Sequence, residues 1–234
     1  MNDSERSYFV VCVVCFACAI GIAILVWMKA PLVGNPWPGV VYFTIYATVA
    51  ELLVVVTDEG QGVTISPSSP ILWAATCVLG PLPAIVIAVC YSLLGLIIRC
   101  ICSHLSSRMA SLEKTSRGFG PWMHRLVTAI GSSWQSLGVL PTLQFIVFYV
   151  SNNIIIVGPS SLVYQAVGGR FLIDTPDRVL PEFILPFLLL VSVSIVLEHT
   201  TYMVLMTAMN PLPVAKDVLY TALLRAKLIL VEDV

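Results

Sequence analysis

Charge is scarce in this sequence. Lys, Arg, Asp and Glu make up 11% of 234 residues, where a soluble domain carries roughly a quarter. A fold surrounded by water needs polar surface in proportion to its size, so a freely soluble domain is excluded. The net charge of -1 gives no general attraction for acidic ligands, and no nucleic-acid partner is expected. Local patterns of catalysis are missing as well. There is no G-x-S-x-G, no H-E-x-x-H, no P-loop and no pair of carboxylates in a polar loop, so the expectation is a protein that is not an enzyme and carries no cofactor. No A-x-A cleavage site follows the first apolar run, and that run is too long for a signal-peptide core, which makes it a retained span.

Apolar residues take the place of charge: 58% of the chain is hydrophobic and the mean hydropathy is +0.95. At roughly 20 apolar residues per crossing, the length accommodates one all-α membrane domain of about six transmembrane helices. The runs fall at 8–28, 37–56, 63–79, 84–102, 141–164 and 185–209, together a membrane domain over 1–209. Turn chemistry separates them: Gly34-Asn35-Pro36, Asp58-Glu59-Gly60, Gly80-Pro81-Leu82-Pro83, Gly168-Gly169 and Asn210-Pro211. The third run is the weakest, because Pro67 and Pro70 interrupt its start. The short connection at Gly80 predicts that the third and fourth spans are antiparallel neighbours. Between the fourth and fifth spans, 121–140 repeats Trp122, Leu126, Ile130, Trp134 and Leu137 at near-helical spacing and predicts an interfacial helix. The segment 210–234 predicts a cytoplasmic amphipathic tail helix.

Basic residues collect in cytoplasmic loops. With the N-terminus inside, Arg6, Arg99, Arg108, Lys114, Arg117, Arg125, Lys216, Arg225 and Lys227 fall on the cytoplasmic side and only Lys29, Arg170 and Arg178 outside. This asymmetry supports six spans in the cell (cytoplasmic) membrane with both termini cytoplasmic.

Ionisable groups inside spans cost roughly 2.5–3.5 kcal/mol on insertion scales, so each prompts a functional question. Glu51 in the second span and Glu198-His199 in the sixth reach similar depth, and the expectation is that Glu51 and His199 face one another as a polar centre. Asn152 and Asn153 in the fifth span, near Gln144 and Ser151, form a second polar patch that must find partners. For both patches, hydrogen bonds that pin helices together are the competing explanation. Ala17, Ala19, Gly21 and Ala23 give two overlapping small-xxx-small pairs, a packing face for another helix of this chain, a second copy or a different subunit. All seven cysteines (Cys12, Cys15, Cys18, Cys77, Cys90, Cys100 and Cys102) lie in or beside apolar runs. A disulfide framework would place them in exported loops. Neither the Cys12, Cys15, Cys18 series nor Cys100, Cys102 and His104 makes a complete ligand set, so no metal is expected.

The order Ala50-Glu51-Leu52, Val63-Thr64-Ile65-Ser66, Leu79-Gly80-Pro81, Asn152, Leu162-Val163-Tyr164 and Gly168-Gly169 resembles the multi-span N-terminal membrane sensor region of bacterial signalling proteins with HD-type phosphohydrolase or GGDEF diguanylate cyclase output domains. The resemblance implies a sensory, ligand-binding membrane module. It departs from that pattern in carrying Glu198-His199 where such regions often have an asparagine, and no output domain follows the last span within these residues. The expectation is therefore a module that acts through a membrane or cytoplasmic protein partner docked on the first span or the tail, or through a homo-oligomer, within the lipid bilayer. Two alternatives are a substrate-binding subunit of an energy-coupling-type uptake transporter and a membrane accessory protein with no ligand.

Overall fold

The computed structural model describes residues 3–30, 35–57, 68–112, 127, 143–169 and 181–209. Among the described residues there is no strand, and the helices are α1 (Asp3–Lys29), α2 (Trp37–Thr57), α3 (Ser68–Leu79), α4 (Pro81–Leu112), α5 (Leu143–Ala166) and α6 (Pro181–Met209). Among the described residues, four segments are long and apolar enough to cross a bilayer: Phe9–Lys29, Pro81–Leu105, Ile146–Ala166 and Phe183–Thr201. By length and composition this is a multi-pass membrane protein. The expected interfacial helix at 121–140, Val127 apart, and the tail at 210–234 lie outside the described residues.

α3 has 12 residues, about 18 Å of helix against a hydrocarbon core of about 30 Å. Pro70 sits in its first turn, where a missing N–H breaks no helical bond. The first part of the expected third span, 63–67, is outside the described residues. α4 differs from expectation in the other direction, since it continues past 102 to Leu112. The polar stretch there contains no Gly or Pro, and Leu105, Arg108, Met109, Ala110 and Leu112 are good helix formers.

α5 is the central helix, packed against α1, α4 and α6, while α2 and α3 pack on each other and on α4. Close approach depends on small residues. Ala47, Ala75, Ala84 and Ala88 are fully buried beside Val26, Ile87, Tyr91 and Val157 in the main core cluster, as expected where helices associate by van der Waals fit in lipid. A Cβ added at Gly158 would collide with the Ile22 side chain of α1, so this glycine sets the α1–α5 approach. On α1, Ala19 is buried, Ala23 half-buried, and Ala17 and Gly21 exposed. The Ala19/Ala23 pair thus faces the bundle and the Ala17/Gly21 pair faces outward.

The outer surface is apolar: Val13, Val14, Ile24 and Trp27 on α1 and Trp37, Val41 and Ile45 on α2 are all about half exposed or more. In water such a surface would drive association, whereas in a bilayer it meets lipid.

Two glycines end helices. Gly80, at φ 94°, is the single residue between α3 and α4 and donates its N–H to the Thr76 carbonyl at 3.0 Å. Gly168, at φ 86°, closes α5 in a Schellman arrangement, with Gly168 N–H on the Gln165 carbonyl (3.1 Å) and Gly169 N–H on the Tyr164 carbonyl (2.9 Å).

A candidate polar ligand cleft

Glu51 lies in the last two turns of α2, inside an otherwise apolar helix. A carboxylate at this place needs partners, and three other helices supply them. From α5, the Tyr149 hydroxyl donates to Oε1 at 2.8 Å. From α4, Arg99 Nη2 donates to Oε1 and to the Glu51 backbone carbonyl, each at 3.3 Å. From the start of α3, Ser68 Oγ donates to Oε2 at 3.2 Å and lies 3.3 Å from the Tyr91 hydroxyl of α4. The Arg99 and Glu51 side chains are only 13% and 14% exposed. Each charge thereby offsets the desolvation cost that the other would carry alone.

Beside this cluster is a cleft of about 90 Å³, well above the roughly 10–15 Å³ that one water requires. α5 contributes Tyr149, Asn152, Asn153, Ile156 and Val157, the i, i+3, i+4, i+7, i+8 positions of one helical face. α3 contributes Ser69, Leu72 and Trp73, α2 contributes Glu51 and α6 contributes Glu198. Glu198 is level with Tyr149: α5 and α6 run antiparallel, with the Tyr164 and Phe183 rings 6.5 Å apart, and Glu198 is as far along from Phe183 as Tyr149 is back from Tyr164.

The two asparagines of α5 behave differently. Asn153 Nδ2 donates to Ser92 Oγ of α4 at 2.9 Å, and Ser92 in turn donates to the Ala88 carbonyl at 2.6 Å. That bond ties two helices. Asn152 Oδ1 is buried and has no protein partner, although an amide oxygen removed from water normally accepts at least one hydrogen bond.

Of the residues singled out from the sequence, the structure brings Glu51, Asn152, Asn153 and Glu198 to one cleft. His199 is not among the cleft residues. Its Nδ1 lies 2.9 Å from the Ile195 carbonyl of its own helix, so the expected Glu51–His199 pair is replaced by Glu51 with Tyr149, Arg99 and Ser68. Adjacent positions on a helix point about 100° apart, so Glu198 and His199 cannot both face the same neighbour. Sequence reasoning missed Arg99, Tyr149, Ser68, Tyr91, Ser92 and Trp73 as site residues. One signal was available for Arg99: it falls inside the 84–102 apolar run, with sign opposite to that of Glu51. Near the other end of the cysteine-bearing segment, Cys100 and His104 are exposed and Cys102 is buried, so these side chains diverge.

Compared with known protein families, with curated proteins and with solved structures, the chain matches none.

Proposed function

We propose that this chain is an integral membrane module that recognises a small polar ligand in the cleft between α2, α3, α5 and α6 and relays its occupancy, in the manner of the membrane sensor regions it resembles. The observation that carries the reading is the buried, unpartnered Asn152 Oδ1 in a cleft large enough for a small molecule. Residues from four helices line this cleft, so a ligand there changes how those helices are held together, and only a ligand that favours one arrangement shifts the population. In this reading α2 and α3, with the residues between them, complete six crossings, both termini are cytoplasmic, and Glu51, Arg99, Tyr149 and Glu198 lie toward the cytoplasmic side. The tail 210–234 carries the change onward.

The transporter-subunit alternative would dock a coupling subunit on small residues of the first span such as Ala19 and Ala23, but these face the bundle, and only the Ala17/Gly21 pair is on the exposed side of α1, where it admits close docking of another helix.

The test is thermal unfolding of the purified full chain against fractions of a small-molecule cell extract. Saturable stabilisation that a Trp73→Ala substitution in the cleft wall removes is the expected result. Absence of stabilisation by every fraction would leave the accessory role with no ligand in its place. Crosslinking in native membranes then separates the remaining two: a kinase, cyclase or phosphohydrolase supports the sensory role, and an ATPase pair with a coupling subunit replaces it with uptake.

A further inference from the structure

The polar group that the cleft leaves unused narrows the ligand, given the reading of the cleft as a binding site. Glu51 is engaged by Tyr149, Arg99 and Ser68, Glu198 has interactions of its own, and Asn153 is tied to Ser92. Asn152 Oδ1 differs from these: it is buried and accepts no hydrogen bond among the described residues. Such an oxygen costs free energy until a donor reaches it, so a ligand for this place brings an N–H or O–H.

The Asn152 side chain is also neutral, planar and two-sided in its chemistry. A carboxamide holds an acceptor oxygen and a donor nitrogen side by side, and a half-turn about χ2 exchanges them. A partner with one donor and one acceptor at the same fixed spacing satisfies the group in either setting, through two parallel hydrogen bonds. Another carboxamide has that pattern. A charged ligand would instead bring a full charge to a neutral partner in a poorly solvated place.

The apolar part of the lining fits the other end of such a molecule. Leu72 and Trp73 of α3 and Ile156 and Val157 of α5 line the same cleft, and Leu72, Ile156 and Val157 are buried. Ile156 is one turn beyond Asn152 on the same face of α5, about 6 Å along the helix. The cleft volume of about 90 Å³ matches the liquid volume of about three waters, which limits a ligand to a few heavy atoms. We propose that the cleft binds a small neutral primary carboxamide, its amide paired edge to edge with that of Asn152 and its short alkyl part against Leu72, Trp73 and Ile156. The pairing asks nothing of Glu51 or Glu198.

The experiment is thermal unfolding of the full chain in lipid nanodiscs, titrated with propanamide beside methyl acetate, 1-propanol, sodium propanoate and ethylammonium chloride, with sodium chloride holding the ionic strength constant. Methyl acetate has as many heavy atoms as propanamide and no donor, and 1-propanol has a single hydroxyl. Saturable stabilisation by propanamide is expected, with none from methyl acetate and an apparent affinity about fivefold weaker for 1-propanol, the loss of one hydrogen bond. Asn152→Leu is expected to abolish the response. Equal or greater stabilisation by 1-propanol, propanoate or ethylammonium that Asn152→Leu removes would overturn the carboxamide assignment and leave the cleft as a binding site. Propanamide stabilisation that methyl acetate matches, or that persists in Asn152→Leu, would overturn it too. No response to any probe would also overturn it, and the extract fractions then decide the broader reading separately. If Asn152→Leu does not fold, the comparison of propanamide with methyl acetate in the parent chain still decides.

Discussion

The Tyr149 hydroxyl donates to Glu51 Oε1 at 2.8 Å, joining α5 to α2 across 98 residues of sequence. This bond, the Arg99 contact and the Ser68 contact converge on one carboxylate and hold four helices at the polar end of the cleft. Tyr149→Phe keeps the ring and removes only the donor. It is expected to cost about 1.5–3 kcal/mol, the range for a hydrogen bond to a charged group, in a mixed-micelle unfolding titration. A stability equal to the parent's would show that the bond contributes nothing.

Arg99 and Glu51 should be coupled far more than two independent residues. Arg99→Leu alone leaves a carboxylate in a mostly buried place and is expected to cost about 3 kcal/mol, the lower part of the range for breaking a buried pair. The double variant Glu51→Leu with Arg99→Leu removes both charges, but also the acceptor of Tyr149 and Ser68, so it is expected to cost less than the sum of the two single variants. Simple addition of the two single effects would contradict the pairing.

The α1–α5 approach at Gly158 gives a packing test. Gly158→Val places side-chain atoms where Ile22 already sits and is expected to destabilise by about 1–3 kcal/mol. A Cβ at Gly21 meets nothing within 4 Å, so Gly21→Ala is expected to leave the monomer's stability unchanged or slightly raised. If Gly21→Ala weakens self-association or crosslinking to another protein, the outward Ala17/Gly21 pair is an interface.

Gly168 tests the end of α5. With φ 86°, Gly168→Ala forces a Cβ into the left-handed region and is expected to cost about 1–2 kcal/mol. A neutral effect would mean that α5 ends by another arrangement.

Much of this was legible in the sequence because it depends on local composition. Apolar runs, Gly and Pro breaks and scarce charge delimit the helices, and the depth of Glu51, Asn152 and Glu198 within their runs was readable by counting. Which side chains meet was not legible, because facing directions around a helix depend on how all the helices rotate against one another. His199 shows this. It has the depth to reach Glu51, but Glu198 occupies the cleft-facing position and the imidazole lies by its own helix backbone. Arg99 shows it from the other side. Counting it with the cytoplasmic basic residues hid its place opposite Glu51. The continuation of α4 to Leu112 was missed because hydropathy marks where lipid ends, and a helix ends only where a breaker or a cap ends it.

The most direct measurement compares the neighbouring asparagines as Asn152→Leu and Asn153→Leu, reading both basal thermal stability and ligand-induced stabilisation. Asn153 Nδ2 ties α5 to Ser92, so its loss is expected to lower basal stability by about 0.6–1.7 kcal/mol. Asn152 Oδ1 has no protein partner, so Asn152→Leu is expected to keep basal stability and lose the response to ligand. A large drop in basal stability for Asn152→Leu with the ligand response intact would show that this amide holds the bundle together and would contradict the cleft as a binding site.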